Sequence, residues 1–148
     1  MKTKKKVLET KKTLMSLAVT EGIGFKKGHR RTGNKLDFID IKRALFQVLA
    51  RKKVFVQLPP EDHEEGTCGE RIKAMYGTRD AGQNWEHTYI EFMESIGFSR
   101  GRASPCVFYY RERELRVVVH GDDFTALGYA ENLDWFRDIM MRKFEVKI

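Results

Sequence analysis

The sequence holds only two cysteines, Cys68 and Cys106, far apart and in no CxxC pairing. That spacing excludes a disulfide scaffold and a zinc module, and it fits a reducing intracellular setting, cytoplasmic or nuclear. No apolar run approaches the ~20 residues of a membrane span, and the stretch 14–19 is too short and too lysine-flanked for a cleaved signal. No membrane partner is expected. There is no Gly-rich phosphate loop, no Ser-centred elbow and no Cys–His pair, which removes P-loop nucleotide hydrolysis and acyl transfer. Acidic charge is also short: 21 Asp and Glu stand against 28 Lys and Arg, a net of +7. The natural partner of such a chain is polyanionic, whether nucleic acid, acidic membrane or acidic protein.

What is present suffices for one folded domain, since 148 residues with 41% hydrophobic side chains can bury a core. The charge is uneven. Residues 1–35 carry 11 basic and 2 acidic side chains, a net of +9, which leaves −2 for residues 36–148. A basic lead segment (1–35) therefore precedes a nearly neutral body (36–148). Within the lead, the Lys4-Lys5-Lys6 run reads as solvated charge or as a nuclear import signal.

Leu14, Leu17 and Ala18 recur at helical spacing, which predicts a short amphipathic supporting helix over 9–20, ended by Gly22 and Gly24. The following loop contains Lys26, Lys27, His29, Arg30 and Arg31, charges that would meet a phosphate backbone or simply be solvated. Residues 36–41 alternate with period two and predict a half-buried strand, with Leu36 and Phe38, and Ile41 as a further candidate, facing differently from Asp37 and Asp40. Residues 54–58 predict a second strand, and the acidic stretch 61–69 an exposed loop, so His63, Cys68 and Glu64-Glu65 are read as solvated. Trp85, Tyr89, Phe92, Met93 and Ile96 share one face of a helix that Gly97 would end. Residues 106–110 and 115–119 read as a hairpin, 124–127 as a further strand, and Leu133, Phe136, Ile139, Met140 and Phe144 as a last helix with Glu131 or Asn132 near its start, followed by a β-like tail. Trp85 and Trp135, on helical stripes, are assigned to packing. The order implies an α+β fold, an antiparallel sheet backed by helices.

The sharpest local signal is Asp122-Asp123 in a tight turn between two apolar runs. Adjacent carboxylates repel, so a hairpin tip that holds them gains from a counter-charge such as a divalent metal. Taken alone, the pair reads first as an ordinary polar turn, since Asp is a favoured turn residue. Asp40 changes the balance, because it ends a β-like run and can converge on the same place. Three such carboxylates can hold two metals ~3.5–4 Å apart, the arrangement of in-line phosphoryl displacement.

The same residues carry a family resemblance. Ile39-Asp40-Ile41-Lys42-Arg43-Ala44-Leu45-Phe46, followed by Val54-Phe55-Val56-Gln57-Leu58-Pro59, resembles the first catalytic motif and downstream strand of the Ty1/copia-type retrotransposon reverse transcriptases. Ala74-Met75-Tyr76-Gly77-Thr78-Arg79-Asp80-Ala81 with Trp85 resembles that family's Leu-Tyr-Gly-Leu-Lys-Gln-Ala-Pro block. Gly97-Phe98, Ser104-Pro105-Cys106-Val107-Phe108-Tyr109 and His120-Gly121-Asp122-Asp123 resemble its later stretches, in order.

The resemblance implies a polymerase palm-like sheet whose catalytic Asp40, Asp122 and Asp123 bind two Mg²⁺, with Mn²⁺ as a substitute. It implies an RNA-directed DNA polymerase that transfers deoxynucleotides to a primer 3′-hydroxyl on an RNA or DNA template. Leu45, Tyr76, Gly77 and Arg79 would contact the incoming dNTP and nascent pair, and Lys26, Lys27, Arg30 and Arg31 the nucleic-acid backbone. Leu45 stands where the family has an aromatic sugar gate, His120-Gly121 where it has an aromatic–hydrophobic pair, and Gly82 where it has proline. Fingers, thumb and RNase H regions would come from a longer polyprotein. Two other readings stand beside this one. The first is a catalytically silent remnant that only binds nucleic acid through residues 1–35. The second is a small RNA-binding α+β module, which would need an aromatic-rich RNP-type strand that this sequence lacks.

Overall fold

The computed structural model describes residues 2–48, 53, 55–70, 72–73 and 80–147. Helix α1 spans Lys2–Ala18, β1 Lys35–Ile41, β2 Phe55–Val56, β3 Gly69–Glu70, α2 Ala81–Ser95 and β4 Ser99–Arg100. They are followed by β5 Val107–Tyr110, β6 Leu115–His120, β7 Asp123–Gly128, α3 Ala130–Lys143 and β8 Val146–Lys147. Six strands form one antiparallel sheet in the order β4-β5-β6-β7-β1-β8, and β2 with β3 makes a separate two-stranded ribbon. The α+β class expected from the element order is the class observed.

The sheet is covered on both faces. On one, Ile39, Ile41, Val117, Val119 and Phe124 pack with Trp85, Tyr89 and Met93 of α2 and with Phe136 and Met140 of α3. These β-branched and aromatic side chains alternate along their strands, so every second residue reaches this core. On the other face Val118 and Leu127 pack with Val7 and Leu14 of α1 in a second, smaller cluster. Val7 and Leu14 lie seven apart, two helical turns, which puts both on the stripe facing the sheet. The first 35 residues thus include a helix docked on the body's sheet.

Several local expectations need correction. Helix α1 begins at Lys2 rather than near Glu9, because Val7 adds a turn to the apolar stripe. The stretch after Pro60 is exposed as expected, but Gly69 and Glu70 at its end pair with β2. Val54 lies outside the described residues. In β1 the parity differs from the expected one. Ile39 and Ile41 are buried with α2 and α3, so Asp37 shares their face, while Leu36, Phe38 and Asp40 share the α1 face. Phe38 is 61% exposed and is therefore no guide to the core side. On the face shared with α2 and α3, Asp37 is met by Arg137 of α3, which donates two hydrogen bonds, from Nε at 3.0 Å and from a terminal guanidinium nitrogen.

The ends of the elements follow local chemistry. Gly97 takes φ +108° just beyond α2, and a Cβ there would lie 2.5 Å from the Tyr110 ring, so both backbone and space require glycine. Helix α3 starts after Tyr129 without a side-chain cap, with Glu131 in its first turn. Asn132 instead donates from Nδ2 to the Arg113 carbonyl, joining α3 to the β5–β6 connection. Trp135 packs edge-on against Tyr110, with the Arg113 guanidinium 4.0 Å from its ring centre. Among the described residues no helix is long and apolar enough to cross a membrane.

Candidate metal centre

Strands β6 and β7 are joined by a two-residue turn, Gly121-Asp122, with His120 opposite Asp123. Gly121 takes φ +62°, and no positive φ follows at Asp122. A glycine in the first central position is what a type II′ hairpin requires, and that turn matches the strands' right-handed twist. The two apolar strands and this glycine together put Asp122 and Asp123 at the sheet's end.

Strand β1 brings the third carboxylate. It runs antiparallel to β7 with Leu36 opposite Leu127 and Ile39 opposite Phe124, and the same register sets Asp40 directly opposite Asp123. The backbone N–H of Ile41 donates to the Asp122 carbonyl at 3.0 Å, closing the ladder at the turn. As a result, ligand oxygens of Asp40, Asp122 and Asp123 all lie within 4.8 Å of one another. Asp40 is half-buried and the other two are exposed. On its far side Asp40 faces Lys147 of β8. A like charge opposite one carboxylate costs stability unless a cation offsets it.

The donor set fits a hard divalent ion. All three side chains offer carboxylate oxygen, with no thiolate or imidazole in the group. Beside it a cleft of about 330 Å³ is lined by Lys11, Phe38, Asp40, Asp123, Thr125 and Lys147. A second cleft, of about 300 Å³, opens on the other side of the turn and is lined by Ala44, Leu45, Gly82, Trp85, Tyr89 and Asp122. Leu45 sits in a short 3-10 turn, Ala44–Gln47, and Gln47 fastens that turn by accepting from the Glu145 backbone N–H at 2.7 Å. Carboxylates and an apolar recess therefore adjoin at Asp122. Within the recess burial pushes the Tyr89 phenol well above the usual tyrosine range, with Glu86 and Cys106 adding to the rise.

The structure thus brings together Asp40, Asp122, Asp123 and Leu45. It keeps the basic residues apart from them. Lys26, Lys27, Arg30 and Arg31 are exposed on the loop that leads into Lys35, and β1 then runs five residues to Asp40, about 17 Å at ~3.3 Å per residue. Tyr76, Gly77 and Arg79 lie outside the described residues. His63, Cys68, Glu64 and Glu65 are all exposed, and none of them belongs to the acidic group.

One residue assigned to packing also makes a polar interaction. Trp85, 4% exposed, donates from Nε1 to the Gly121 carbonyl at 2.7 Å. Lys11 is a second unanticipated neighbour, since its repeat marks α1 only as a supporting helix. Neither is signalled in the sequence, where both sit on ordinary helical repeats. No family model matches the chain, and no solved structure matches it.

Proposed function

We propose that this chain is the palm portion of a Ty1/copia-type reverse transcriptase, an RNA-directed DNA polymerase that extends a primer 3′-hydroxyl with dNTPs on an RNA or DNA template. The single observation that carries the reading is the register that sets Asp40 opposite Asp123 and leaves Asp122 within 4.8 Å of both. The ordered sequence motifs supply the family, and the convergence of the three carboxylates supports it independently.

In this reading Asp40, Asp122 and Asp123 hold two Mg²⁺ or Mn²⁺ ions. Bound there, the ions supply acidification of a hydroxyl and neutralisation of charge on a transferring phosphate. The protein's own residues do the positioning. Asp40, fixed by strand pairing on both sides, provides the rigid ligand, and the hairpin tip provides the other two. The apolar recess at Leu45 and Gly82 accepts the sugar and base of the incoming nucleotide next to Asp122. Leu45 guards that recess with a smaller side chain than an aromatic gate. The loop cations Lys26, Lys27, Arg30 and Arg31 meet the nucleic-acid backbone on the Lys35 side of β1, away from the carboxylates at its other end. The setting is intracellular.

That same separation favours one other reading, a silent remnant that binds nucleic acid through the basic loop alone. Primer extension with Mg²⁺ or Mn²⁺ decides between them. The polymerase reading expects extension by the unaltered protein and none by the Asp122→Asn, Asp123→Asn variant. Equal extension by both proteins, or none by either, would sink it. Replacing Lys26, Lys27, Arg30 and Arg31 by alanine is expected to lower duplex affinity and to flatten its salt dependence, by ~0.9 in the log–log slope for each phosphate no longer neutralised.

A further inference from the structure

We infer that Trp85 is the positioning residue of the acidic hairpin, its indole N–H setting where Asp122 and Asp123 stand relative to Asp40. The inference rests on the metal-binding reading above. Backbone pairing holds the main chain of the turn, through the Ile41 N–H on the Asp122 carbonyl, but the turn's own side chains pack on nothing that would hold them. Gly121, Asp122 and Asp123 are all exposed, and a Cβ built on Gly121 would touch nothing within 4 Å. Two neighbouring carboxylates at such a tip repel each other and Asp40, which drives them apart when no cation is bound.

Two interactions from one side chain oppose that spreading. The Trp85 indole donates to the Gly121 carbonyl at 2.7 Å, on the strand side just before the aspartates. The same ring packs edge-on against Phe124, the residue just after them, with centroids 6.4 Å apart. Both ends of the Gly121–Phe124 segment are therefore referred to one indole. That indole is itself held against Tyr89 and Phe144, at 5.6 and 5.2 Å between centroids. Buried on rigid α2 and locked by rings, Trp85 behaves as an outer partner that orients ligands without touching the ion.

The test is Mn²⁺ affinity by calorimetry for the unaltered protein, Trp85→Phe and Met140→Ala. Met140 is fully buried in the same core, so its variant reports general loosening. Trp85→Phe is expected to weaken Mn²⁺ binding about tenfold or more, the usual effect of removing an outer-shell partner, while Met140→Ala stays within about twofold. Unchanged affinity in Trp85→Phe overturns the inference, as does an equal weakening in Met140→Ala. A second measurement needs no altered fold at this site. In the unaltered protein the Trp85 indole N–H resonance, assigned by comparison with Trp135→Phe, is expected to shift on adding Mg²⁺, and that of Trp135 to stay in place. A stationary Trp85 signal, with Mg²⁺ bound, overturns the inference. Absence of any Mn²⁺ binding by the unaltered protein removes the metal-centre reading itself, a result separable from the others.

Discussion

Tyr89 shows how a single buried group links the recess to stability. Its phenol is raised by burial, with Glu86 and Cys106 adding to the effect, so the folded protein keeps a proton that the unfolded chain releases above about pH 10. The stability this proton carries is fully present below that pH and is lost as pH rises beyond it, at up to about 1.4 kcal/mol per pH unit. Denaturant melts between pH 9 and 11 should show this decline, and Tyr89→Phe should flatten it. Legibility also divides at this scale. Asp40, Asp122 and Asp123 are readable, because a strand end and a tight turn are local features and three carboxylates at adjoining ends exceed what an ordinary polar turn uses. Trp85 is not. Its ring lies on an ordinary apolar helical stripe, and the carbonyl it binds is 36 residues away. Arg137 escapes for the same reason, since its partner Asp37 is 100 residues distant.

Among the elements, period and punctuation are legible wherever packing agrees with them. Helix α2 stops at the glycine expected to stop it, and the β5–β6 and β6–β7 hairpins form from the apolar runs expected to pair. Strand β1 is legible as a strand but not by face. Its apolar residues fall on both parities, and only the helices packed at Ile39 and Ile41 decide which side is the core. The two turn glycines differ in a testable way. Gly121→Ala forces a residue with φ +62° into open space, a strain of about 1 kcal/mol. Gly97→Ala adds a 2.5 Å approach to the Tyr110 ring on top of φ +108°, and should cost about 2–4 kcal/mol. Thermal melts should rank Gly97→Ala clearly below Gly121→Ala. The reverse order would mean that the hairpin tip is tighter than its open surroundings indicate.

For the whole molecule, stability and the acidic centre are opposed. Asp40 and Asp123 face each other across the ladder, so neutralising one should stabilise the cation-free protein by about 0.5 kcal/mol. Asp40→Asn is therefore expected to melt slightly higher than the unaltered protein without added metal. With Mn²⁺ at a hundred times its dissociation constant the unaltered protein should gain about 2.7 kcal/mol, and the variant much less. A variant that melted lower in the absence of metal would show that Lys147, across the other edge, already balances the charge. The register that pairs Asp40 with Asp123 has one more consequence, in how such a protein changes over generations. Sliding β1 by one residue would turn Asp40 inward and expel Ile39 and Ile41 from the core, so the backbone register behind the carboxylates cannot drift while the fold is kept. A folded descendant that retains the three aspartates therefore keeps their backbone register, and change in how they stand is left to the side chains around the turn, Trp85 first among them.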